Sequence, residues 1–161
     1  MHQFRIGFGY DVHRLEEGET LWLGGILIPH LKGTVAHSDG DVVIHAVCDA
    51  LLGAARMRDI GYHFPDNSGD FKNIDSKILL GKTHELIRTK GYSIENMDIT
   101  IAAQKPKLKD YIPQMEETMA GVLGLEPEVI SVKATTTEQL GFEGREEGIS
   151  VYAVALLGRN T

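Results

Sequence analysis

Three short runs of this chain collect residue types that hold metal ions and phosphates. The first is Asp11-Val12-His13. In an extended segment residues two apart project to the same face, so the carboxylate and the imidazole point together while Val12 faces away. That pair suits a zinc-type cation at about 2.0–2.2 Å from each ligand atom. A turn aspartate beside a surface histidine is the other reading of the pair. The second run is His37-Ser38-Asp39-Gly40-Asp41, followed by His45 and Asp49. At about 100° per residue, Asp41, His45 and Asp49 form one stripe of a helix. The stripe is short and lies on a strongly apolar segment, which argues against a plain solvated face. Asp11, His13 and His45 would supply three ligands and leave a fourth tetrahedral position open, as a catalytic rather than a structural zinc requires. Cys48, one turn after His45, competes by spacing, but it reads better as a small buried hydrophobe. His2, His30, His63 and His84 have no partner by spacing and read as structural or surface residues.

The third run is Val132-Lys133-Ala134-Thr135-Thr136-Thr137-Glu138, then Gly141-Phe142-Glu143-Gly144-Arg145. A strand ending in threonines presents hydroxyls and backbone N–H groups to an anion, and Thr136 or Thr137 can cap the turn that follows. Glu138 suits a hard divalent cation that phosphate oxygens also bridge. Threonines are good strand formers as well, so plain strand structure accounts for them equally. A further segment, Ala103-Gln104-Lys105-Pro106-Lys107-Leu108-Lys109, leaves a strand and turns at Pro106. It is either a lysine-rich turn or an edge of backbone groups that reads a flat base. No Walker-type glycine loop occurs, which disfavours a nucleoside triphosphatase.

Several elements must position these residues. Phe4 to Tyr10 reads as an opening strand, with Gly7 and Gly9 marking a bulge or a close backbone approach. Leu21 to Leu23 and Ile26 to Ile28 flank Gly24-Gly25, a two-residue hairpin signal. Ser38 or Asp39 caps a helix through Val42 to Ala55, whereas Asp59 to Asp66 reads as a loop. Asp75 or Ser76 caps a second helix ending at Lys90, and Tyr111 to Leu123 forms a third, stopped by Gly124. Met97 to Ala103, Val129 to Ala134 and Ile149 to Leu157 are strands. The order predicts an α/β (α+β) two-layer sandwich, a mixed β-sheet with helices mainly on one face. The other face then needs cover, and a partner subunit is the simplest source.

With 161 residues, 42% of them hydrophobic, the chain is expected to form a single domain over residues 1–161. Acidic groups outnumber basic ones by 23 to 16, for a net charge of −7. That balance excludes a nucleic-acid-coating protein and demands local neutralisation of any bound phosphate. One cysteine fits a reducing compartment, and no stretch approaches the roughly 18 apolar residues of a membrane span. The opening MHQFRIGFGYDVH has neither a signal-peptide nor a transit-peptide layout, so a cytoplasmic location is expected. There is no internal repeat or low-complexity run.

From Arg5-Ile6-Gly7 to Ala155-Leu156-Leu157, the chain resembles the 2-C-methyl-D-erythritol 2,4-cyclodiphosphate synthase family of the non-mevalonate isoprenoid pathway. The motifs are Asp11-Val12-His13, His37-Ser38-Asp39-Gly40-Asp41-Val42 with His45, and Asp49-Ala50-Leu51-Leu52-Gly53-Ala54. Asp59-Ile60-Gly61, Phe64-Pro65-Asp66, Lys133-Ala134-Thr135-Thr136-Thr137-Glu138 and Gly141-Phe142 follow in family order. The resemblance implies a homotrimer, its sheets packed around a threefold axis and its active sites shared between subunits. It implies a zinc-type cation on Asp11, His13 and His45, and a second divalent cation, magnesium or manganese, near Glu138 with the diphosphate. By the same matching, His37 and Ser38 meet the methylerythritol phosphate, Asp66 meets one of its hydroxyls, and Asp59 and Gly61 hold the ribose. The Ala103 to Lys109 turn (Gln104, Lys105, Pro106, Lys107, Leu108 between) and Thr135 to Thr136 of the adjacent chain hold the cytidine and its phosphates. Val12, Ile60, Phe64, Pro65, Asn67, Ser68 and Thr137 complete the implied substrate contacts. His37 and Thr136 match transition-state stabilisers. Phe142, Arg145 and Glu147 match a central cavity that takes an isoprenoid diphosphate, or else they pack an interface around a salt bridge.

The implied reaction closes a ring in 4-diphosphocytidyl-2-C-methyl-D-erythritol 2-phosphate and releases CMP. Its nucleophile is already an anion, so alignment and charge neutralisation matter more than a side-chain base. Two other readings stand beside it: a zinc-dependent phosphoester hydrolase, and a non-catalytic trimeric small-molecule binder.

Overall fold

The computed structural model describes residues 3–159, so His2 and the extreme ends of the expected 1–161 domain lie outside the described residues. The first strand, β1 (Phe4–Glu17), is twice as long as its apolar pattern suggests. Its antiparallel register with the last strand, β7 (Gly148–Arg159), runs unbroken from Phe4 opposite Gly158 to Arg14 opposite Gly148. Gly7 and Gly9 therefore mark no bulge. They mark a close approach: a Cβ on Gly7 would lie 2.0 Å from the Ala50 carbonyl oxygen, and one on Gly9 would lie 1.9 Å from that of Ala46. Both carbonyls belong to helix α1 (Val42–Ala54), whose backbone rests directly on β1.

Helix α1 is capped by Asp41 rather than by Ser38 or Asp39. Asp41 Oδ1 accepts from the Ile44 N–H at 3.1 Å and the Gly24 N–H at 2.9 Å, and Oδ2 accepts from the Gly25 N–H at 2.6 Å. One buried carboxylate thus satisfies the helix start and the turn joining β2 (Leu21–Leu23) to β3 (Ile26–Ile28). Gly24 and Gly25 have φ of +63° and +82°, as that tight turn requires. Asp39 is engaged elsewhere, accepting from the Ser76 N–H at 2.8 Å. Burial also corrects the expected stripe. Along α1 only His45, Asp49 and Gly53 are not buried, so the open face is set by those three and Asp41 belongs to the interior.

The sheet order is β4 (Lys32–Thr34), β1, β7, β5 (Tyr92–Ala102), β6 (Ile130–Thr135). Every neighbouring pair is antiparallel except β5 with β6. Helix α3 (Ser76–Thr89) starts at Asp75, and α4 (Ile112–Leu123) ends at Gly124 in the left-handed conformation. With α1 they cover one sheet face over a core that includes Leu51, Leu80, Met97, Ile99, Ile101, Met115 and Val151. The opposite face leaves Phe4, Ile6, Phe8, Tyr10 and Val12 of β1 exposed, with Ile6 at 72% and Phe8 at 62%, beside Tyr152 and Val154 of β7. The mixed sheet with helices on one face is as expected. Strand β4 and the short helices α2 (Ile60–His63) and α5 (Gly141–Gly144) are additions. The segment expected as a loop from Asp59 instead begins with α2, whose Tyr62 N–H is accepted by Asp59 Oδ1 at 2.9 Å. Among the described residues no helix is long and apolar enough to cross a membrane.

Candidate metal centre and substrate clefts

The β1–α1 contact brings the candidate ligands together. Asp11 and His13 sit on β1, and His45 precedes Ala46, the residue pressed against Gly9. Asp11 Oδ2 lies 2.8 Å from His13 Nε2 and 3.3 Å from His45 Nδ1, and the two ring nitrogens are 3.3 Å apart. Tetrahedral bonds of zinc length place ligand atoms about 3.3 Å from one another, so the spacing fits such an ion. The chemistry of the donors fits as well. His13 Nδ1 faces the Val35 carbonyl at 3.3 Å, where only an N–H is useful, so the neutral ring that a cation requires has its lone pair on Nε2, toward Asp11 and His45. Burial pushes the Asp11 carboxyl up, but the His13 and His45 rings beside it outweigh this and hold the group at about 2. Burial pulls the His13 imidazole down, and the hydrogen bond and charge of Asp11 more than reverse this, so it ends above its ordinary value. An anion facing two imidazoles makes a place for positive charge.

Cys48 does not join them. It is fully buried on α1, and burial pushes its thiol up to about 12, far from the thiolate a metal needs. Asp49 accepts from the Ile60 N–H at 2.8 Å and so ties α2 to α1. Burial raises its pKa against that hydrogen bond, with Asp59 and Asp11 adding to the rise.

The three ligands open on a cleft of about 410 Å³. Val12, His37, Ser38, Ile60, Gly61, Phe64 and Asp66 line it. Arg14, Val35, Ala36, Phe71, Ile74 and Leu79 also line it, without having been singled out. Leu79 sits on the periodic apolar side of α3, where nothing in sequence separates a cleft wall from core. A second cleft of about 390 Å³ is lined by Ala103, Gln104, Pro106, Lys107, Leu108, Lys109, Thr135 and Thr136. Ile112, Val132, Lys133 and Ala134 complete it. Gln104 Oε1 accepts from the Gln139 N–H at 3.1 Å and joins the proline turn to the threonine loop. Thr136 Oγ1 accepts from the Glu138 N–H at 3.3 Å, the capping role its position suggests. Glu138 and Gln139 both adopt left-handed backbone, φ 53° and 64°, which strains side-chain-bearing residues.

Asp59, Pro65, Asn67, Ser68, Lys105, Thr137, Glu138, Phe142 and Arg145 line neither of these clefts. Within one chain Glu138 is therefore not at the three ligands. Ser68 offers its carbonyl to His37 Nε2 at 3.3 Å, and Arg145 Nε donates to Glu147 Oε1 at 2.8 Å.

Residues 4–158 match the YgbB family. A 2-C-methyl-D-erythritol 2,4-cyclodiphosphate synthase of Bacteroides fragilis is 65% identical over 157 residues, which are 98% of this chain and 99% of that protein. The structure of the bifunctional IspDF from Campylobacter jejuni aligns with a TM-score of 0.94 at 44% identity, over 98% of this chain; this chain spans 42% of that longer one. The CDP complex of IspF from Plasmodium falciparum aligns with a TM-score of 0.87 at 36% identity, over 100% of this chain and 99% of that one.

Proposed function

The chain belongs to the YgbB family, and we infer from that membership that it converts 4-diphosphocytidyl-2-C-methyl-D-erythritol 2-phosphate to 2-C-methyl-D-erythritol 2,4-cyclodiphosphate and CMP. It is a phosphorus–oxygen lyase of isoprenoid precursor biosynthesis. An oxygen of the 2-phosphate attacks the β-phosphorus, the bond to the α–β bridging oxygen breaks, and CMP leaves with the electron pair. The nucleophile arrives as an anion, so the barrier lies in aligning negative groups rather than in removing a proton. Two unit charges about 4 Å apart repel by roughly 1 kcal/mol in water and several-fold more in a dry cleft. Asp11, His13 and His45 would hold a zinc-type cation, and Glu138 a second divalent cation, magnesium or manganese, which when bound neutralise and polarise the phosphates. The convergence of Asp11 Oδ2, His13 Nε2 and His45 Nδ1 within 3.3 Å at the wall of the first cleft carries this reading.

The chain's own groups orient the substrate. His37 and Ser38, on the loop before α1, bind the methylerythritol phosphate, and Asp66 takes one of its hydroxyls. Asp59 and Gly61 at the start of α2 hold the ribose. In the second cleft the backbone from Ala103 to Lys109 reads the cytosine, while Thr135 and Thr136 meet phosphate oxygens. His37 and Thr136 stabilise the charge that develops in the transition state. The two clefts are separate within one chain, so a site that uses both is built between copies. The exposed apolar face of β1 and β7 supports a homotrimer packed around a threefold axis, where the second cleft of one subunit completes the first cleft of the next. Phe142 and Arg145 would lie near that axis, and an isoprenoid diphosphate there competes with Glu147 for the guanidinium. Residues 1–161 then form one synthase domain working in the cytoplasm.

Product analysis tests the reading. The protein, loaded with zinc and supplied with magnesium and the cytidyl substrate, should give the ³¹P resonances of a cyclic diphosphate and equimolar CMP. No oxygen from H₂¹⁸O should enter either product. An open-chain phosphate carrying ¹⁸O would make the protein a hydrolase and overturn the assignment.

A further inference from the structure

His45 turns Nδ1 to the cation site and Nε2 to two hydroxyls, Ser38 Oγ at 3.2 Å and Ser76 Oγ at 3.1 Å. A neutral imidazole carries one N–H, and only the other nitrogen can bind a cation. The hydroxyls therefore decide whether His45 is ready to act as a ligand. Ser76, fully buried at the first position of α3, is committed. Its hydroxyl donates to Asp39 Oδ1, and its backbone N–H donates to Asp39 Oδ2 at 2.8 Å. With its single hydrogen given to a carboxylate, Ser76 Oγ can meet Nε2 only as an acceptor. Nε2 must then donate, which leaves the Nδ1 lone pair facing Asp11 Oδ2 and His13 Nε2. Asp39 is itself fixed: its Oδ1 also accepts from the Asp41 N–H at 3.1 Å, and its N–H donates to the Ile74 carbonyl at 3.1 Å. Ser38 lacks such a commitment, because its oxygen accepts from the Gly40 N–H at 3.3 Å and its hydrogen can turn either way.

We propose that Asp39 and Ser76 are positioning residues that hold His45 in the Nε2–H tautomer and thereby set the affinity of the site for a zinc-type cation. The inference rests on Asp11, His13 and His45 being the cation site, and adds two residues that line neither cleft. A carboxylate at the far end of the relay also makes the imidazole a stronger electron-pair donor. The same relay accounts for the cap of α1. Asp39 is drawn to the start of α3, and Asp41 is left to begin α1.

The test compares the full-length protein with Ser76→Ala, Ser76→Thr and Asp39→Asn. Zinc affinity is measured by competition with a chromophoric chelator, and the His45 tautomer of the metal-free protein is read from long-range ¹⁵N–¹H correlations. Ser76→Ala should weaken zinc binding about 10–100-fold and shift His45 away from the Nε2–H form. Ser76→Thr, which keeps the hydroxyl, should stay within a few-fold of the starting protein. Asp39→Asn keeps the shape but can donate an N–H to Ser76 Oγ, releasing the serine hydrogen toward Nε2, so it too should bind zinc more weakly. Thermal midpoints of the metal-free proteins show which variants are folded. Zinc affinity within twofold of the starting protein for the folded variants, with an unchanged tautomer, would overturn the proposal. An unsubstituted protein that takes up no zinc would strike instead at the cation site on which it rests.

Discussion

Asp11 faces two imidazoles, 2.8 and 3.3 Å away, in a cluster set at the cleft wall rather than in the apolar core that carries the fold. His45→Ala should therefore abolish zinc retention and slow turnover about 1000-fold or more, while moving the thermal midpoint of the metal-free protein by only a few degrees. Metal analysis of the purified variant beside its turnover number checks this; near-normal activity without zinc would contradict it. Cys48 gives a second residue-level prediction, through pH. Its thiol rises from 9.0 to about 12 on burial. Below pH 9 folded and unfolded chains both keep the proton; above it only the unfolded chain loses it. Stability should then fall by about 1.4 kcal/mol per pH unit from this group alone, until the folded thiol also ionises. Urea midpoints at pH 7 and pH 10 should converge between Cys48→Ala and the starting protein, and a constant offset would refute the buried thiol. Asp11, His13, His45 and Cys48 were legible because residue type and short spacing carry their signal. Asp39 and Ser76 were not, since 37 residues separate them and a lone serine at a helix start looks like any cap.

At the scale of elements, the site depends on how closely α1 lies on β1. Gly7 and Gly9 face Ala46, Ala50 and Ala54, so two backbones meet with almost no side chain between them. Gly→Ala in a strand ordinarily stabilises by restricting the unfolded chain. At Gly9 the sign should reverse. A Cβ 1.9 Å from the Ala46 carbonyl forces the helix away, at a cost of about 1–3 kcal/mol, and it moves His45 off Asp11 and His13. Gly9→Ala should lower the thermal midpoint and weaken zinc binding together; a variant more stable than its parent would refute the close seam. The glycines were legible as a bulge or a close approach, but neither the choice between them nor the helix they approach was, because a strand pattern says nothing of what lies above it. The cap of α1 was misplaced because Asp39 and Asp41 are chemically equivalent in sequence, and tertiary partners choose between them. Strand β4 and the helices α2 and α5 span three or four residues each, less than a readable period.

For the whole molecule, the exposed row of Phe4, Ile6, Phe8, Tyr10 and Val12 departs from an ordinary surface. The need to cover one sheet face was legible from the order of elements, whereas the number of copies came only from the family resemblance, since no periodicity encodes a rotation axis. Sedimentation should give about three times 17.7 kDa, and Phe8→Glu should give the single-chain mass with little turnover. Shared sites predict complementation as well. Co-expressed His45→Ala and Thr136→Ala chains, each nearly inactive alone, should regain up to about a quarter of full activity, and no recovery would place both halves of the site on one chain. The cation itself remains the centre of the account, and zinc-edge anomalous diffraction from crystals of the zinc-loaded protein tests it most directly. One peak per chain is predicted, about 2.0–2.2 Å from Asp11 Oδ2, His13 Nε2 and His45 Nδ1, with its fourth position open to the cleft. A map with no peak among those atoms after zinc loading, or with the three side chains turned apart, would contradict it.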